Sequence, residues 1–187
     1  MIKTRLIALS SIFAVFTALG AQFAFYIGPV PITLQTLFVI LSGFVGGFRV
    51  GLLSQLIYLA VGLAGLPVFA GFKGGYMVFL GPTAGYLLSF PIAAAIAGLI
   101  YNPVSSRSII KALLACILAE IVIYSLGVPW LILWFTNFSG LMLSEAVSRA
   151  VIMGMLIFLP GDGLKIAIIL YLLKRKEFLQ IIIRARA

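Results

Sequence analysis

The sequence predicts an all-α, polytopic membrane protein of six transmembrane helices, folded as a single integral-membrane domain over residues 1–187. Three observations carry this prediction. Apolar residues fill 64% of the chain and charged ones 9%, against about a half and a quarter in a soluble domain. Acidic residues number four, and mean hydropathy is +1.27. The apolar residues also run in long unbroken stretches, not in the short alternating segments of a lipid-facing barrel. A backbone in lipid must satisfy its own hydrogen bonds, so these stretches are read as helices. At about 20 residues per span, six of them use most of the chain.

The breaks between runs are Gly, Pro or basic residues, and they set the elements in order. Span one covers about 5–26 and ends at Gly28-Pro29-Val30-Pro31. Lys3, Arg5 and the Ala18-Leu19-Gly20 triplet imitate a secretory signal, but the apolar run continues through Phe25 and Tyr26, so a retained span is expected. Span two covers about 34–48, closed by Gly46-Gly47-Phe48-Arg49, and span three about 50–65, closed by Gly65-Leu66-Pro67. A glycine-rich loop follows, Phe69-Ala70-Gly71-Phe72-Lys73-Gly74-Gly75. Span four is about 81–101, stopped by Asn102-Pro103, and span five about 109–127, stopped by Gly127-Val128-Pro129. Residues 129–159 hold Trp130 and Trp134, suited to a membrane–water boundary, and the polar set Ser144, Glu145, Ser148 and Arg149. They are read as helices lying partly in the interface. The last span then starts at Gly161-Asp162 and runs to Lys174-Arg175-Lys176.

The net charge of +9 is distributed as membrane orientation requires, with no call for a nucleic-acid partner. Ten of the thirteen cations fall on one side: Lys3 and Arg5, Arg49, Arg107 and Lys111, then Lys174, Arg175, Lys176, Arg184 and Arg186. The positive-inside rule places both termini and these loops in the cytoplasm. Lys73, Arg149 and Lys165 remain on the other half, where topology does not ask for them.

Among the residues able to carry chemistry, Asp162 and Lys165 come first. Three positions apart, they share one face of the last helix. An ionisable group at membrane depth costs about 2.5–3.5 kcal/mol on insertion scales and most often marks a substrate path. The competing reading is a helix cap with a lysine that pairs or snorkels. Lys73 sits among glycines that let backbone approach a ligand closely, with Phe69, Phe72 and Tyr76 as apolar walls; a solvated loop lysine explains it equally well. Gln35 is either interhelical glue or a ligand contact. Small residues at every fourth position, Gly81, Gly85, Ser89, Ala93 and Ala97 in span four and Ser10, Ala14 and Ala18 in span one, give smooth faces for close helix contact. The span-four face suits an internal partner, and span one admits an external one.

Catalysis finds little support. The chain has no histidine and one cysteine, Cys116, so disulfides are excluded and zinc or haem sites have no ligand set. No Walker-type phosphate loop is present, so any ATP must be hydrolysed by partners. Small-solute binding or transport is the reading the residues support, with a self-sufficient proton-coupled carrier using Asp162 or Glu120 as the alternative.

Four stretches in register narrow this. Pro29-Val30-Pro31-Ile32-Thr33-Leu34-Gln35, Gly65-Leu66-Pro67-Val68-Phe69, Gly81-Pro82-Thr83-Ala84-Gly85-Tyr86 and Pro160-Gly161-Asp162-Gly163-Leu164-Lys165 together resemble the BioY family, the biotin-specific substrate-binding components of energy-coupling-factor transporters. The resemblance runs from about residue 5 to 176. It implies the six-helix S-component fold in a prokaryotic cell membrane, with biotin bound under the 1–2, 3–4 and 5–6 loops and no cofactor. It also implies a transmembrane coupling subunit and two cytoplasmic ATPases as partners, with Ala14 and Ala18 matching an Ala-x-x-x-Ala docking face. Asp162 and Lys165 resemble the family's ligand pair, and Lys73, Gln35, Gly74, Gly75 and Tyr86 complete the expected binding set. Biotin's ureido ring offers two N–H donors and a carbonyl acceptor, which a carboxylate and an ammonium side by side can meet. Two positions depart from the family pattern: Lys73 stands where asparagine is frequent, and Ala84 where glycine is common.

Overall fold

The computed structural model describes residues 3–104 and 107–186. The chain opens with α1 (Lys3–Gln22), passes through a short antiparallel ribbon of β1 (Phe25–Tyr26) and β2 (Pro31–Ile32), and enters α2 (Gln35–Leu63). A 3-10 turn, Tyr76–Leu80, precedes α3 (Ala84–Ile100). Then come α4 (Ile109–Phe138), α5 (Leu143–Val151), a π turn at Ile152–Leu156, α6 (Leu159–Lys174) and α7 (Lys176–Arg186). Among the described residues four stretches are long and apolar enough to cross a membrane, Leu143–Lys174 counted as one, and α3 is a shorter apolar helix.

α2 is not straight. Gly47 sits at φ 75°, ψ −173°, a region essentially closed to residues with a Cβ. There the chain folds back into limbs 35–46 and 48–63. Side-chain bonds between the limbs require this: the Gln35 amide donates to the Tyr58 hydroxyl at 2.7 Å and the Gln55 amide to the Ser42 hydroxyl at 3.5 Å. In one straight helix Gln35 and Tyr58 would lie some 35 Å apart, at about 1.5 Å per residue. The break expected at Gly46-Gly47 is therefore present, and the bundle has the six membrane helices anticipated from the sequence.

Packing follows small residues. α1 lies along α2, α2 against α3, α3 against α4, and α4 against α5. A methyl group on Gly43 or Gly51, one from each limb of α2, would run into the Ala94 carbonyl of α3, so backbone meets backbone there. Gly98, Ala93 and Ala97 keep the facing side of α3 equally flat, and both alanines are fully buried. Such contact gives membrane helices dispersion energy where lipid offers no hydrophobic gain.

Two expectations are corrected. Span five does not stop at Gly127-Val128-Pro129: α4 runs through Pro129 to Phe138. Gly127 is there for packing, since a Cβ would strike the Tyr86 ring. In an apolar environment continuing the helix past one proline costs less than exposing several free backbone groups. Residues 129–138 therefore belong to α4, and the last helical run does not start at 161. α5, the π turn and α6 form one 32-residue run, in which the polar residues Glu145 and Arg149 pair at 2.7 Å on an exposed side.

The basic tail is also ordered as α7, which packs on α2. The Arg186 guanidinium donates to the carbonyls of Gly43, Phe44 and Tyr101 at 2.8–3.2 Å, closing helix ends whose carbonyls have no next turn to bond. The Arg5 side chain donates to the Arg184 carbonyl. These contacts gather at the end of the bundle that carries Gly47. The opposite end carries the β ribbon and the 64–83 loop.

Candidate functional site

A cavity of about 370 Å³ opens at the ribbon-and-loop end, within the size range of small-molecule sites. Its roof is the ribbon, with Tyr26, Pro29 and Val30, and the 64–83 loop, with Phe69, Lys73 and Gly74. The walls are apolar and aromatic: Met77, Tyr86, Leu87, Phe90, Ile123 and Phe158. Polar groups gather from three helices: Gln35 and Thr36 of α2, Glu120 and Tyr124 of α4, Asp162 and Lys165 of α6.

Asp162 and Lys165 are each 5% exposed and bound to one another, Nζ to Oδ1, at 2.9 Å. Lys165 also donates to the Thr36 hydroxyl at 2.9 Å, and the Tyr124 hydroxyl donates to the second Asp162 oxygen. Asp162 is not a cap. It lies in the first turn of α6, its own amide bonds the Phe158 carbonyl at 2.9 Å, and its carboxylate bonds the Lys165 and Tyr124 side chains. The pair therefore faces an enclosed space with capacity to spare. Lysine has three donors and a carboxylate about four acceptor positions, and two of each are engaged here.

Gln35 bonds within the protein, as interhelical glue does. It lines the cavity, and its side chain bonds Thr33 at 2.9 Å and Tyr58 at 2.7 Å, with Tyr58 in turn donating to the Val68 carbonyl at 3.2 Å. The chain of bonds ties the start of α2 to the 64–83 loop. Lys73 is exposed yet lies on the cavity rim, held by a two-way backbone pairing with Phe69 at 2.9 and 3.2 Å. Gly74 lines the cavity where a Cβ would collide with the Leu66 carbonyl. Gly75 is outside the lining; at φ 85° it turns the loop and gives its amide to Gly62 at 2.7 Å. Tyr86 forms part of the wall and donates to the Gly154 carbonyl of the π turn at 2.8 Å.

Ala14 and Ala18 are not among the residues that line the cavity. Ala14 is buried in the protein's own core and Ala18 half-buried beside it. The exposed side of α1 is formed by Ile7, Ile12, Val15 and Leu19. Thr36 and Tyr124 are the site residues that the sequence did not single out, and it offers Glu120 only as a proton carrier, not as part of a binding site. Glu120 and Tyr124 stand four apart, one turn of α4, and this spacing within an apolar run was the available signal.

The sequence model of the BioY family matches residues 1–180. The chain belongs to the BioY family. Within it, a probable biotin transporter BioY of Pyrococcus horikoshii is 41% identical over 175 residues, covering 94% of this chain and 98% of that one. The biotin transporter BioY of Thermotoga maritima is 41% identical over 119 residues, 64% of this chain and 69% of that one. That of Rhizobium etli is 33% identical over 183 residues, 92% of each. A 2.1 Å crystal structure of the S-component for biotin from an ECF-type ABC transporter superposes with a TM-score of 0.76 at 26% identity, covering 92% of this BioY chain and 90% of that one.

Proposed function

We propose that this chain is the biotin-binding membrane component of an energy-coupling-factor transporter. The observation that carries the reading is the Asp162–Lys165 couple, buried, mutually bonded and turned into a cavity of about 370 Å³. A neutral cyclic urea is the head group it suits. The ring carbonyl takes the free Lys165 donor, a ring N–H meets Asp162, and the fused thioether ring lies against Tyr86, Phe90 and Phe158. The pentanoate chain then extends toward the rim, where Lys73 and the Gly74 backbone meet its carboxylate. Names of the BioY relatives and of the S-component structure support the same ligand.

The chain acts as a binding subunit and not as an enzyme. Its transport energy comes from ATP hydrolysed by two cytoplasmic ATPases through a transmembrane coupling subunit. That subunit docks on the exposed side of α1, with Ala18 at the rim of the contact and Ala14 keeping the underlying helix pair close. Both termini are cytoplasmic, so the cavity opens to the outside.

Titration of detergent-purified protein with biotin tests the assignment. Saturable one-to-one binding is expected, and folded protein that takes up no biotin would refute it. Liposomes carrying a pH gradient and no ATPases separate it from the proton-coupled carrier: a binding subunit accumulates no biotin there.

A further inference from the structure

One polar side chain at the cavity is unaccounted for. Glu120 is 7% exposed and lines the same space as Asp162 and Lys165, yet no donor among the described residues reaches either of its carboxylate oxygens. Its neighbours are already engaged. Lys165 serves Asp162 and Thr36, and the Tyr124 hydroxyl, one turn along α4, serves Asp162. Both oxygens are buried as the side chain stands, so a ligand donor is met by rotation of the carboxylate toward the cavity that the residue lines. A buried acceptor without a donor is a standing cost to the unliganded fold, and it is recovered when a donor arrives with the ligand.

A cyclic urea brings two such donors. They sit on opposite sides of the ring carbonyl, so one carboxylate beside the carbonyl's lysine meets one of them and leaves the other pointing away. We infer that Glu120 is a third head-recognition residue, accepting the second ring N–H while Asp162 takes the first. This rests on the biotin reading of the site and extends it. The cavity then discriminates between a ring with two free N–H groups and one with a single free N–H, and the discrimination is divided between α4 and α6.

The test is a chemical double-mutant cycle in detergent. Biotin and its two ring mono-N-methyl isomers are titrated against wild type, Glu120→Ala and Glu120→Met, the last keeping volume without an acceptor. Wild type is expected to bind both isomers at least about tenfold more weakly than biotin. Each variant is expected to lose about 10–100-fold in biotin affinity and to stop penalising one isomer while still penalising the other. Melting of the ligand-free variants is expected at or above the wild-type temperature, because an unpaired buried acid has been removed. A merely structural acid would move melting down and leave the isomer preference intact. Wild-type biotin affinity in the variants, or an unchanged penalty on both isomers, overturns the role of Glu120 alone. Failure of wild type to bind biotin overturns it together with the function it rests on.

Discussion

Asp162 and Lys165 show how a costly residue pair is kept in a membrane protein. Removing both charges from water costs several kcal/mol per ion, and their attraction in low dielectric repays it only with good geometry and further hydrogen bonds. Thr36 and Tyr124 supply those bonds, which is why four residues from three helices converge on two charges. Asp162→Ala or Lys165→Ala is expected to weaken biotin binding by about 1–3 kcal/mol, since each strands a buried partner. Calorimetric titration of each variant checks this, and the ligand-free double variant should melt above either single one because no lone charge is left. The pair was legible in the sequence, since three-residue spacing fixes a shared helix face whatever the fold. Glu120 and Tyr124 were harder to place, because α4 is apolar nearly all round and its sequence does not mark which face looks inward. Thr36 was hidden for a different reason: a threonine near a helix start is ordinary until a lysine 129 positions away is found bonding to it.

Breaks decide which faces the elements present. Gly47 was readable as a break because paired glycines before an arginine are poor helix interior, and its φ of 75° shows why glycine is needed. Gly47→Ala is expected to cost about 1–3 kcal/mol of stability, read as a lower melting temperature in detergent. Pro129 misled because proline stops helices in water, where freed backbone groups find solvent; in lipid they do not. The start of the last span was missed because the polar stretch of α5 interrupts its hydropathy, although Glu145 and Arg149 neutralise each other one turn apart. The π turn at Ile152–Leu156 gave no sequence signal at all. It inserts a residue into the helical repeat and so turns α6 by about 100° relative to α5, setting the face on which Asp162 and Lys165 stand. Deleting Ile152, a lipid-exposed member of the turn, should restore plain α-helical register and turn the pair out of the cavity. Biotin binding is expected to fall at least about a hundredfold in a variant that still inserts and migrates as a monodisperse species on size-exclusion chromatography.

For the whole molecule, the polarity of the bundle matters most. The cavity and its covering loops occupy one end, and Arg186, which clasps Gly43, Phe44 and Tyr101, occupies the other. The cavity and the arginine clasp thus stand at opposite ends of a bundle about one bilayer deep. With Cys116 buried, single cysteines report the orientation: Phe72→Cys should react with a membrane-impermeant thiol reagent on intact cells, and Arg49→Cys only after the membrane is opened. The reverse pattern would invert the topology. Charge asymmetry is what predicts this orientation from the sequence, whereas the C-terminal clasp was not legible, because a short basic tail reads as solvated chain until its arginine is seen on helix-end carbonyls. The central claim, that Asp162 and Lys165 grip the head of biotin, is tested most directly by a structure of the biotin complex. The ureido carbonyl is predicted within about 3 Å of the Lys165 ammonium, with a ring N–H on Asp162; a bicycle seated elsewhere, with the couple untouched, would contradict the account.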